Sequence, residues 1–463
     1  MAIGKKGSAS WKLIIVAFAV IALWMMISGC TPHKMYRSDK PEVGVCDNPD
    51  PAPESPCEQY ALQQLPTGNG TNYLLGFIEF DDQGQLWSRM QMHSVLDKVR
   101  QEAASHEMLM VVFVHGWKHS AAPGDKNINT FRGILARLSD AEGYIAKATG
   151  KPVRHLAGIY LGWRGGSVPV PYLEDLTFWD RKNTAQKVGY GGVAEVLSQL
   201  ESIQATSKSW LAVLGHSFGG AVVHTAVVQN LENRFAQPAV PAGQESTVRG
   251  FGSLIVLINP AFEANLFTPL SDMSVERGHY LDSQPPVMAV LTSEADDATG
   301  KAFPAGRWLS TLFENEHDRQ RLNAVTGQME TISEHDTNII AVGHFEPYRT
   351  HRLYPKPQSE QKRAELRTAS AANSVRMFMR SSSGWRDDAP GSVIPIGDVL
   401  MERTKTSAGH NPYLVISVDK DLINSHNDID DARVIEFIKQ LIWLSSYKPN
   451  ETRAIREMLP PAP

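Results

Sequence analysis

The chain has 463 residues, is 42% hydrophobic and carries a formal net charge of −5 at pH 7, enough apolar material for one large core or two modest ones. The slightly acidic balance, with no block of Lys and Arg, argues against nucleic acid as a partner, since phosphate binding needs clustered basic side chains. Three cysteines are too few for a disulfide-scaffolded fold or a cysteine-based zinc centre.

Lys5, Lys6 and Lys12 form a positive region, Leu13 to Ile27 is a nearly unbroken apolar run, and the run ends in Ile27-Ser28-Gly29-Cys30. The pattern resembles a bacterial lipoprotein signal peptide with its lipobox. That resemblance implies removal of residues 1–29 and lipidation of Cys30 as the mature N-terminus. The alternative is an uncleaved N-terminal membrane anchor, because about 16 apolar residues is near the lower spanning limit. Either reading places the body outside the cytoplasm, in the cell envelope and attached to a membrane. Thr31, rather than Asp, after the cysteine favours the outer membrane in a Gram-negative cell. Such a compartment permits a disulfide between Cys46 and Cys57 across the proline-rich 47–56 segment, which would close a short loop and stabilise by roughly 2–3 kcal/mol. Residues 30–72, rich in Pro, Asp and Ser, read as a tether.

The folded body is predicted to run from Tyr73 to about residue 450, with a C-terminal tail over 451–463. Leu74–Phe80, a turn at 81–84 and Gln85–Trp87 read as a hairpin, and Met90–Ala104 has helical spacing. Leu109–Val114 is a continuous apolar run, as expected of a strand covered on both faces. Phe131–Leu138 is helical, Leu156–Leu161 a strand, Val193–Ile203 a helix and Leu211–Leu214 a strand. Leu254–Ile258, Val287–Leu291 and Tyr413–Val418 complete the strands, and Asp431–Leu444 is the closing helix. Strands separated by helices in this way predict an α/β fold with a doubly wound, mostly parallel sheet. Two stretches interrupt the alternation and are expected to form caps or lids, or to pack on a sheet edge. One is about 164–187. The other, about 300–410, is a long insertion before the last strand; within it 306–313 and 358–379 read as helices.

The chemistry concentrates in Gly215-His216-Ser217-Phe218-Gly219. An apolar strand leads in, Gly220–Val228 reads as a helix leading out, and the serine falls on the turn between them. Flanking glycines supply room where a Cβ would clash, and the following helix N-terminus favours negative charge in front of it. This unit resembles the nucleophile elbow of the α/β-hydrolase superfamily, in a bacterial esterase- or lipase-like branch. The resemblance spans about residues 73–445 and rests on four motifs in order. Val114-His115-Gly116-Trp117 follows a strand end and implies an oxyanion hole with the amides of Trp117 and Phe218 as donors. A metal pair at His115 and His119 is the alternative use of that segment, but it lacks the glutamate of a zinc helix. The GHSFG stretch supplies Ser217, with His216 read as structural. Thr292–Gly300 supplies the acid: Asp296 fits best, with Asp297 and Glu294 competing. His426, just past the last strand, fits the base; His344 is its rival, and His410, before the same strand, falls on the wrong edge.

The order Ser217, Asp296, His426 is the one this superfamily produces. The function it implies is hydrolysis of carboxylic esters, small or lipidic, through an acyl-enzyme, with no metal or organic cofactor. An envelope serine peptidase or acyltransferase, or a non-catalytic binding lipoprotein of the same fold, are the alternatives. Pro171, Tyr172, Phe178 and Trp179 are expected pocket residues, although aromatic loop residues serve packing as often.

Overall fold

A computed structural model describes residues 32–68, 70–166, 178–237, 246–311, 314–357, 371–385, 389, 391–447 and 449–458. The expected signal peptide, Cys30, Pro171, Tyr172, the side chains of Phe178 and Trp179, and the first part of the helix expected over 358–379 lie outside the described residues.

In chain order the elements are β1 (Ser38–Val45), β2 (Tyr60–Pro66), β3 (Asn72–Glu79), α1 (Arg89–Ser105), β4 (Met108–Val114), α2 (Lys126–Thr149), β5 (His155–Gly162), α3 (Phe178–Val188), α4 (Ala194–Thr206), β6 (Ser209–His216), α5 (Phe218–Ala236), β7 (Leu254–Ile258), α6 (Thr268–Arg277) and β8 (Met288–Ser293). There follow α7 (Phe303–Thr311), β9 (Arg319–Asn323), β10 (Gln328–Ile332), α8 (Glu334–Ile339), β11 (His351–Pro355), α9 (Ala371–Gly384), β12 (Val393–Ile396), β13 (Val399–Arg403), β14 (Tyr413–Val418), α10 (Ala432–Ser446) and α11 (Pro449–Met458).

Seven apolar residues in a row make β4, and every one is buried. Alternate side chains serve opposite faces, because successive Cβ atoms in a strand point opposite ways. Met110, Val112 and Val114 join the core with α1, α4 and α5, while Leu109, Val111 and Phe113 join the core with α2 and α10. A sheet covered on both sides in this way favours parallel pairing. Twelve strands form one mixed, mostly parallel sheet in the order β1-β2-β3-β5-β4-β6-β7-β8-β14-β11-β13-β12. From β3 to β11 every neighbouring pair is parallel, an architecture consistent with an α/β-hydrolase-like fold. The chain steps outward from β4 to β5 and then crosses back past β4 to β6. The crevice at the carboxyl ends of β4 and β6 is therefore the switch point where ligands gather in open α/β sheets.

Four expectations about the periphery need correction. The segment expected as a tether supplies β1 and β2, two strands of the main sheet. Its prolines fall mostly in the connecting loop, and Pro41 sits in β1, an edge strand where a missing N–H is tolerated. The Cys46–Cys57 disulfide, with Cα atoms 5.5 Å apart, and a buried Arg37–Glu58–Arg132 cluster fasten it. Among the described residues, the first half of the 300–410 insertion forms α7, the β9–β10 hairpin, α8 and a single 3-10 turn at Glu346–Tyr348 before its second half enters the sheet. There β11 pairs in parallel with β14, and the β13–β12 hairpin closes that edge. The expected tail begins inside α11. Finally, the predicted hairpin at 74–87 reduces to one antiparallel bridge, Phe80 with Leu86, because β3 takes β5 as its parallel partner.

Candidate active site

β6 ends at His216, and α5 begins at Phe218, with Ser217 alone between them. Ser217 holds φ 56° and ψ −123°, a conformation that costs a non-glycine residue roughly 1–3 kcal/mol. The turn is clamped from three sides. Ser217 N–H donates to Ile258 O at 3.0 Å, and Ser217 O accepts from Gly220 and Ala261 N–H at 2.9 and 3.1 Å. The glycines on either side are steric necessities. A Cβ on Gly219 would stand 2.0 Å from Val114 O, and one on Gly215 2.7 Å from Gly219 O. Gly116, just past β4, lies even closer to the chemistry: a Cβ there would sit 2.6 Å from Ser217 Cβ and 3.2 Å from Ser217 Oγ.

The loop after β14 carries His426 across to this turn. His426 Nε2 lies 2.7 Å from Ser217 Oγ, and Nδ1 lies 2.9 Å from both carboxylate oxygens of Asp296. The Asp296 side chain is fully enclosed, whereas that of His426 is 14% exposed. The imidazole thus faces both the buried acid and the outside. Burial alone would raise the Asp296 pKa, but hydrogen bonds from His426 and Thr299 outweigh it and hold it below the usual value. An ionised carboxylate only accepts, so the Nδ1 proton belongs to His426 and Nε2 accepts from the serine hydroxyl.

Further groups fix this line of three. His216 Nε2 and Asn259 Nδ2 both bond the carbonyl oxygen of His426 at 2.9 Å. Asn259 Oδ1 in turn accepts from Ser293 N–H at 2.9 Å. Burial, with the neighbouring His426, pushes His216 down to about 3, so it is neutral and donates through Nε2. On the acid side, Thr299 N–H donates to Asp296 Oδ1 at 3.1 Å and its hydroxyl donates to Oδ2. The same hydroxyl lies 2.9 Å from His344 Nε2. It has only one proton and gives it to the carboxylate, so it accepts from His344 N–H.

The β4 end is organised by His115. Its Nε2 accepts from Trp163 N–H at 3.0 Å, which leaves Nδ1–H to donate to Gly116 O at 3.0 Å. Burial pushes its pKa down to about 4, so it stays neutral. With the Gly116 carbonyl held toward His115, the trans peptide turns the Trp117 N–H to the opposite side.

Ser217, Asp296 and His426 are therefore brought together, and the competing residues are not. Asp297 is turned to solvent and paired with Lys301 at 2.7 Å. Glu294 accepts from Ser417 Oγ at 3.2 Å and faces Arg352 at 3.4 Å. His410 is buried beside Trp385, 3.8 Å from Asp282, at the amino end of β14. His344 stands behind the acid rather than beside the serine. The alternative metal pair fails because both nitrogens of His119 are engaged, with Asp125 at 2.9 Å and Asn127 at 3.1 Å. Sequence reasoning missed Asn259 and Thr299. Each left a faint signal: Asn259 is the first polar residue after β7 and precedes a proline, and Thr299 stands three residues after Asp296, the spacing at which an aspartate caps a following turn.

No family model matches the chain, and no curated protein does. Among solved structures, phospholipase PlaB from Legionella pneumophila in complex with thio-NAD is similar at a TM-score of 0.23 and 14% identity, over 49% of this chain and 48% of that one. A second structure of that phospholipase is similar at a TM-score of 0.21 and 14% identity, over 55% and 49%. The chain spans about half the length of these structures.

Proposed function

We propose that this protein is a serine hydrolase that cleaves carboxylic esters through an acyl-enzyme. One observation carries the reading: an unbroken hydrogen-bonded line from Ser217 Oγ through His426 to an enclosed, ionised Asp296. His426 Nε2 takes the serine proton as Oγ attacks the ester carbonyl carbon. Negative charge on the carbonyl oxygen develops toward the Gly116–Trp117 turn and the N-terminus of α5. The amides of Trp117 and Phe218 serve there as donors held in place before the charge appears, each contributing about 3 kcal/mol. His426, now cationic and steadied by Asp296, returns the proton to the departing alcohol. Water then repeats the sequence on the acyl-enzyme. The N-terminal Lys-rich and apolar pattern supports lipidation at Cys30 and an envelope location, read by labelled-palmitate incorporation that disappears in Cys30→Ser.

A fluorophosphonate probe and a panel of esters of graded acyl length test the reading. Labelling and hydrolysis are expected in the wild type and absent in Ser217→Ala. An unlabelled, inactive wild type would leave only a binding protein of this fold. Peptide cleavage, or acyl transfer to an acceptor other than water, would move the activity to the neighbouring classes that share this machinery.

A further inference from the structure

At the opposite end of the sheet from Ser217, α1 closes against the start of β5. Glu102 lies in the last turn of α1, His106 is the residue that caps it, and His155 opens β5. Glu102 Oε2 lies 3.5 Å from His106 Nδ1 and 3.3 Å from His155 Nδ1, and the three donor atoms lie within 4.8 Å of one another. We propose that Glu102, His106 and His155 form a binding site for a divalent cation of the zinc class, independent of the hydrolase chemistry.

The distances carry the proposal. Zinc holds imidazole nitrogen and carboxylate oxygen at roughly 2.0–2.2 Å in a tetrahedron, so neighbouring donors are separated by about 3.3–3.5 Å. The two oxygen–nitrogen separations already have that value. The donor set of two imidazoles and one carboxylate suits zinc and not magnesium, which prefers oxygen. The carboxylate is oriented for the task, because its other oxygen, Oε1, is taken by Lys98 Nζ at 2.8 Å. A partner of this kind behind a ligand is what tunes metal sites. The backbone is fixed as well. Met108 is in register with His155, His155 N–H donates to Glu107 O at 2.8 Å, and His106 N–H donates to Glu102 O at 2.9 Å. All three ligands therefore stand on paired or capped main chain. One rearrangement is required: the imidazoles stack at 3.8 Å with planes 13° apart, and both lone pairs converge on one ion only after a ring tilts. The His106 side chain, 43% exposed, has room to do so. With three protein ligands, water fills the fourth position.

The test is calorimetric titration of the chelator-stripped full-length protein with Zn2+, alongside thermal unfolding with and without Zn2+. Expected are one tight equivalent and a raised unfolding midpoint in the wild type. His106→Ala, at an exposed position outside the helix body, should weaken that event about 100-fold and abolish the shift, and Lys98→Ala should weaken it about tenfold. Mg2+ should produce neither effect. No saturable zinc event in the wild type, or wild-type affinity retained in both His106→Ala and His155→Ala, overturns the proposal.

Discussion

Thr299 is where the site depends on a single hydroxyl. It gives its proton to Asp296 and receives one from His344, so removing it takes one donor from Asp296 Oδ2 and the acceptor from His344 Nε2, while His426 and the Thr299 N–H still bond the carboxylate. Thr299→Val keeps the shape of the side chain and loses the relay. The expected result is a fall in kcat of roughly 10- to 100-fold with KM little changed, because the carboxylate that orients the imidazole is itself held less firmly. Thr299→Ser should retain most activity; if Thr299→Val is as active as Thr299→Ser, the hydroxyl contributes only packing. Asp296→Asn should lose on the order of 10^4 in kcat with the fold intact, while Asp297→Asn, already paired outward with Lys301, should change little. The meeting of Ser217, Asp296 and His426 was legible because each occupies a fixed place relative to a strand end, which chain order reveals. Thr299, His344 and Asn259 act through other side chains. Nothing in local spacing distinguishes a threonine that braces a carboxylate from one that caps a turn, so their roles emerge only when the loops are assembled.

Among the elements, the close approach of α5 to β4 sets the geometry of the elbow. A Cβ at Gly219 would meet Val114 O at 2.0 Å and His115 O at 2.6 Å, both main-chain atoms that cannot swing aside. Gly219→Ala should therefore destabilise by about 3 kcal/mol and displace the turn, read as a lowered urea midpoint together with lost hydrolysis. Gly133 in α2 is the control. A Cβ there meets nothing within 4 Å, and Gly133→Ala should stabilise by about 0.5–1 kcal/mol through helix propensity. The central strands were readable because strands buried on both faces are continuous apolar runs. β1 and β2 escaped notice because an edge segment with the composition of Ser38–Val45 reads as a linker. Their contribution is nonetheless structural: Glu58 is the carboxylate that pairs buried Arg37 and Arg132. Glu58→Ala would leave two enclosed guanidinium groups without their counter-charge, at a cost of roughly 3–5 kcal/mol. A chain starting at Tyr73 would strip β2 from the edge of β3 and leave Arg132 without Glu58, and it should be insoluble, whereas one starting at Thr31 should fold.

For the molecule as a whole, its interior histidines set a limit on the acid side. Burial holds His115 at about 4 and both His216 and His224 at about 3, against an ordinary value of 6.5. The folded values are lowered, so on acidification the unfolded chain takes up protons first. Stability is therefore present above about pH 6.5 and is lost as the pH falls toward the folded values. Each imidazole contributes a slope of about 1.4 kcal/mol per pH unit in that window, and the three together roughly 4. Glu79 works the other way, since its burial raises its pKa and lets the folded state bind a proton first; it moderates the loss at the acid end. His224 isolates the effect. It stacks on Phe262 with ring centroids 4.2 Å apart, its Nε2 has no hydrogen-bond partner among the described residues, and it plays no part in the proposed chemistry. His224→Phe should leave hydrolysis intact at pH 7.5. It should also flatten the fall in unfolding free energy between pH 6.5 and 5 by about one proton, followed by urea denaturation at closely spaced pH values. An unchanged slope in His224→Phe would mean that this imidazole binds its proton equally well in the folded and unfolded chains, and that the acid sensitivity comes from the other buried histidines and from carboxylates held at lowered values, such as Asp296 and Asp125.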